Sequence, residues 1–111
     1  MTSALQVPTW PDPIDVTDFT NAHAVMFGFT IEAADSTYRI HIKVYASQAA
    51  FAAGKEPIAD LFYRNAGGVF PNWNTAVADP NFVNPLLSLR NWVYNTIVAN
   101  DTRFTGSTLL P

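Results

Sequence analysis

With 111 residues, a formal net charge of −3 and no cysteine, the chain is one domain in size and offers no disulfide framework, thiol nucleophile or thiolate metal site. Its basic residues (Arg39, Lys43, Lys55, Arg64, Arg90, Arg103) are scattered along the sequence, which argues against nucleic acid or an anionic membrane as a partner. Hydrophobic residues make up 49% and charged residues 14%, against roughly 25% charged in an average soluble domain, so burial against other chains is the expectation.

The first segment, MTSALQVPTWPDPID, has neither a basic leader nor an apolar core of signal-peptide length. Pro8, Pro11 and Pro13 fix φ and remove amide donors, which rules out a regular helix. Residues 1–22 are therefore expected to form an extended arm, studded with Trp10 and Ile14, that lies on its own core or on a neighbour, the alternative being an ordinary disordered terminus. Asp12, Asp15 and Asp18 fall among these prolines and read as turn and capping groups.

From His23 to Ala46 a run AVMFGFTIE, a break AADST and a run YRIHIKVYA have a period of two. Val25, Phe27, Phe29 and Ile31 alternate in the first run, and Tyr38, Ile40, Ile42, Val44 and Ala46 in the second. Arg39, His41, Lys43 and Tyr45 fall on the opposite face. An antiparallel hairpin with one buried side is predicted.

Ser47 then heads an alanine-rich turn of helix that Gly54 stops, with Ala50 and Phe51 expected to pack down. PIADLFYR is a third strand, either at an edge or partly covered on both faces, and NAGG ends it. Residues 69–83, with Phe70, Trp73 and Phe82, form a long aromatic loop that is packed or hides a short helix. Asn84 as N-cap and Pro85 at the first position open the clearest helix, LLSLRNWVYNTIVAN. Its stripe of Leu86, Leu89, Val93 and Ile97, widened by Leu87, Tyr94 and Val98, should lie across the hairpin. The apolar end TRFTGSTLLP, with Phe104 and Leu109, reads as an extended tail.

The predicted fold is thus α+β: a small antiparallel sheet of three or more strands against one long C-terminal helix. It divides into an arm (1–22), a core (23–101) and a tail (102–111). The longest apolar runs are strand-sized, short of the roughly 20 residues that span a bilayer.

No catalytic, cofactor or metal constellation stands out. His41 and His23 have no convergent carboxylate or third ligand implied by spacing, and Glu32 and Glu56 have no partner at a useful spacing. The serines sit in no nucleophile motif, and Gly67 with Gly68 form no phosphate loop. Phe70, Trp73 and Phe82 could stack on bases or sugars, but no basic residues are interleaved with them. Core or interface aromatics are the better reading.

The strand ending in KVYAS, the turn QAAFAAGKEPIADLFY and a closing helix followed by NDTRFTGSTLL resemble small virion proteins of tailed bacteriophages, found as tail, neck or baseplate components. That resemblance implies a non-enzymatic subunit of the virion, repeated in a ring or tube and bound to copies of itself and to other virion proteins. The expected interface is the arms and the aromatic loop: Trp10, Ile14, Phe70, Trp73, Phe82, Phe104 and Leu109. No cofactor, nucleic acid or membrane is expected. The alternative is a small α+β ligand- or carbohydrate-binding module.

Overall fold

A computed structural model describes residues 4–11, 19–65, 68–79, 82 and 86–110. The strands are β1 (Ala4–Trp10), β2 (Phe19–Glu32), β3 (Thr37–Tyr45), β4 (Ala59–Arg64) and β5 (Thr108–Leu110). The helices are α1 (Gln48–Ala52), α2 (Trp73–Ala78) and α3 (Leu86–Asn100), with single 3-10 turns at Ala33–Asp35 and Thr102–Phe104. The architecture is α+β, with one five-stranded antiparallel sheet in the order β4-β3-β2-β1-β5.

The hairpin of β2 and β3 forms as its alternation implies, closed by the Ala33–Asp35 turn and by Ser36 at φ 55°. Its register breaks once. Met26 stands opposite Ile42 and Gly28 opposite His41, so Phe27 is an extra residue in β2. A bulge of this kind reverses the side-chain parity of the strand. Before it, Ala22 and Ala24 are buried and Met26 packs on the core; after it, Phe29 does. Phe27 itself is 58% exposed on the opposite side, and Ile31 is exposed at the strand's end. Of the expected inward set of Val25, Phe27, Phe29 and Ile31, only Phe29 packs on the core.

Where the described residues cover the two expected arms, they include strands of the sheet. Residues 4–10 form a strand inside the sheet, paired with β2 on one side and β5 on the other, and Ala4, Leu5, Val7 and Trp10 are buried. The prolines misled because a strand tolerates proline where no ladder needs its amide. β5 reaches along β1 only as far as Gln6, so Pro8 falls outside that ladder, and Asn21, across from it, takes φ 55°. At the other end of the chain the expected tail turns at Thr102–Phe104 and returns as β5. The domain boundaries at 22 and 102 are thus replaced by one continuous sheet.

The core lies between the inner face of this sheet and α3, from which Val93, Tyr94 and Ile97 point inward. The Tyr94 hydroxyl accepts a hydrogen bond from the Met26 amide at 2.9 Å, beside the bulge. Asn84 and Pro85, expected to start this helix, lie outside the described residues, as do the side chains of Leu86 and Leu87. The aromatic loop does contain a short helix, α2, capped by the Asn72 side chain on the Thr75 amide. In α1 the Ser47 hydroxyl caps the Ala50 amide and Gly54 takes φ 74°, as predicted. No residue of α1 is buried, however, and Phe51 rests only against the rings of His23 and Tyr45.

Most of the expected interface is core. Trp10, Phe70, Phe82 and Phe104 are at most 3% exposed, and Trp73 and Leu109 pack partly against the same cluster. Phe70 and Phe82 turn inward to join Tyr38 and Trp92, and Trp10 meets Phe104 at 5.1 Å. Large rings gain most from leaving water, and one chain of this size can bury them itself. Ile14 lies outside the described residues.

Candidate functional site

With the inner face filled, the two most exposed large apolar side chains among the described residues, Phe62 and Phe27, lie on the outer face of β2, β3 and β4. The register arranges the residues of this face in three rows across the strands. Thr30, Arg39 and Arg64 form the first, Gly28, His41 and Phe62 the second, and Val25, Lys43 and Asp60 the third. Phe62 is 76% exposed, the most open large apolar side chain among the described residues.

An aromatic strip crosses the middle row. The rings of His41 and Phe62 stack at 4.3 Å with 16° between their planes, and Phe27 meets His41 edge-on at 5.6 Å. Lys43 Nζ lies 3.8 Å from the centre of the Phe27 ring, a cation–π contact. His41 Nε2 is 2.9 Å from Asp60 Oδ1, and because an ionised carboxylate only accepts, the imidazole donates. Asp60 is thereby fixed to His41, while the Lys43 ammonium across the ladder turns to Phe27.

The first row is electrostatically unfinished. Arg39 and Arg64 stand directly across from one another, an arrangement that like charges disfavour, and neither has an acidic partner among the described residues. Between this row and the His41–Phe62 stack, above the bare backbone of Gly28, runs an open groove of about 460 Å³. Its chemistry is two guanidinium groups beside an aromatic wall, which suits a carboxylate flanked by apolar groups.

A second polar cluster has a structural role. The Asp101 carboxylate, only 8% exposed, accepts from the Tyr63 hydroxyl at 2.7 Å, from the Arg103 amide at 3.1 Å and from the Arg103 guanidinium at 3.0 and 2.7 Å. These bonds fasten the turn before β5 to β4. Burial pushes the Asp101 carboxyl up, but Arg103 and Tyr63 outweigh it and hold it below the usual carboxylate range. Burial, and then the bond to Asp101, raise the Tyr63 phenol. A group whose folded pKa is depressed stabilises the fold above its unfolded value, about 3.9 for aspartate, and loses that contribution as pH falls through the folded value. Asp101→Asn is expected to cost about 1–3 kcal/mol near neutral pH and to flatten the acid limb of a urea-unfolding series against pH. An unchanged acid limb would show that other carboxylates set it.

His41 belongs to this face with Arg39 and Lys43, as the alternation predicts, but a carboxylate does converge on it, contrary to expectation: strand pairing brings Asp60 to it. His23 is buried beside Phe51, and burial lowers its pKa. Phe27 and Phe62 were legible as strand residues and not as a pair, because the bulge and the cross-strand register are what align them. Among the described residues no three His, Cys, Asp or Glu side chains converge on a common point, and no helix is long and apolar enough to cross a membrane. Comparison with known proteins finds no matching family model, no matching curated protein and no matching solved structure.

Proposed function

We propose that the chain is a non-enzymatic structural subunit that assembles with copies of itself and with other proteins of a tailed-phage virion, docking through the outer face of its sheet. The observation that carries this reading is the exposure of Phe62 and Phe27 on one face, at 76% and 58%. Leaving these rings in water forgoes about 25 cal/mol for each Å² of apolar surface, which a partner recovers by covering them. The low charge of the whole chain points the same way. Its placement in a virion rests on the resemblance of the KVYAS strand, the QAAFAAGKEPIADLFY turn and the NDTRFTGSTLL segment. Docking falls to the sheet face because β1 and β5 are taken up in completing the sheet itself.

The test is the mass of the purified chain by light scattering, for the intact protein and for Phe62→Ser. A defined oligomer is expected, which the substitution breaks down while the circular dichroism spectrum stays unchanged. A monomer at every concentration would sink self-assembly. The groove between Arg39, Arg64 and Phe62 favours a second reading, a small-ligand module. A monomer whose Gly28 and Thr30 amide resonances shift on titration with an acidic oligosaccharide would support that instead.

A further inference from the structure

We propose that the outer face is covered by an extended polypeptide segment of a neighbouring subunit that carries a carboxylate and, two residues along, an apolar side chain. The carboxylate sits between Arg39 and Arg64, and the apolar group lies above Gly28 against the rings of His41 and Phe62. The inference rests on the docking reading above and gives the partner its chemistry. The Asn65 amide donates to the Tyr38 carbonyl at 3.3 Å, which makes residues 38 and 65 a hydrogen-bonded pair of the β3–β4 ladder. Such pairs alternate with non-hydrogen-bonded ones, whose Cα atoms are only about 4.5 Å apart. Arg39–Arg64 and His41–Phe62 are therefore both close pairs, and the 4.3 Å stacking of the second agrees. Two exposed guanidinium groups so placed donate together to one carboxylate, and no acid among the described residues takes that place. Asp60, the nearest acid along β4, is engaged by His41.

Gly28 is the second sign of an occupant. A glycine inside a strand weakens it, and one of its uses there is to let a ligand or another chain approach closely. Its φ lies outside the left-handed region, and a Cβ at this position would meet only the His41 Cβ within 4 Å, at 3.7 Å, an ordinary contact. Neither the backbone nor the chain's own packing demands glycine. What a side chain here would fill is the groove itself. The Arg39–Arg64 and His41–Phe62 rows lie two residues apart, about 6.8 Å, which is also the spacing of side chains i and i+2 on one face of an extended chain. A segment of the form Glu-x-Phe laid along β3 and β4 thus reaches both rows at once. An acidic sugar offers the carboxylate but brings hydroxyl groups to Phe62, whereas the peptide covers that ring with another apolar surface.

The test is a titration of the full chain with the blocked tripeptide acetyl-Glu-Thr-Phe-amide, followed by amide resonances. Those of Gly28, Thr30 and His41 are expected to shift saturably. Exchanging the peptide's Glu for Gln, or its Phe for Ala, should weaken binding about tenfold, and Arg64→Gln in the protein should do the same. Gly28→Val leaves every charge in place and suits a strand, so it is expected to abolish binding while the circular dichroism melt matches that of the parent chain. If valine disturbs the fold, the smaller Gly28→Ala takes its place, with a weaker block expected. Equal binding of the Glu and Gln peptides, or undiminished binding by the folded Gly28 variant, overturns the proposal. So does an acidic oligosaccharide that displaces the peptide from the same amides at lower concentration, or an oligomer that persists when the peptide saturates the groove. The docking reading is decided separately by light scattering: an oligomer lost in Phe62→Ser, together with equal binding of the two peptides, overturns this proposal alone.

Discussion

A chain lacking residues 1–11 is expected to have no cooperative unfolding transition at all. Those residues include β1, which lies between β2 and β5, and their loss removes Leu5, Val7 and Trp10 from the core. It also strips β5 of its partner and exposes the edge of β2 from Phe19 to Ala24. Three or more large apolar side chains at about 1.5–3 kcal/mol each approach the entire stability of a typical domain, about 5–15 kcal/mol. The arm reading predicts the opposite, a folded core that merely assembles less well. Urea titration followed by circular dichroism distinguishes them, and a sharp transition in the truncated chain would restore the arm.

The second large effect is expected at Ile42, in the middle of β3. It is fully buried, faces Met26 on one side and Leu61 on the other, and lies in the same core cluster as Val93 of α3. Ile42→Ala should cost about 2–4 kcal/mol, the transfer term plus the cavity that a close-packed site cannot close. Val93→Ala should cost somewhat less, since fewer methyl groups are removed. Denaturant midpoints at constant slope measure both. Near-neutral results at the two positions together would mean that sheet and helix do not share this core.

What could be read from the chain was whatever a local period writes into it. The alternation of Tyr38, Ile40, Ile42 and Val44 has one physical solution, and so has Ser47 as a cap ahead of Gly54. The outer face required pairings that no local pattern states. Phe62 meets His41 only because β4 returns beside β3, and His41 meets Phe27 only because one extra residue turns that ring outward. The terminal segments were misjudged for a related reason. Proline marks what a segment cannot donate, whereas membership of a sheet depends on which neighbours ask for a donor. Trp10, Phe70, Phe82 and Phe104 look identical in sequence whether they cover a chain's own core or another's. Burial is decided by the whole fold.

The pairing of β1 with β5 also bears on how the molecule is reached in time. Ala4 stands beside Leu110, so this ladder closes the longest loop in the described chain. Loop closure is an entropic cost that rises with length, and contacts between distant residues slow folding. The β2–β3 hairpin and the β4 strand can form early from neighbouring sequence, whereas the β1–β5 seam must wait. Until it forms, the edge of β2 that β1 later covers, from Phe19 to Ala24, is open to a strand from another chain, whereas the finished sheet presents only the three-residue β5 on that side.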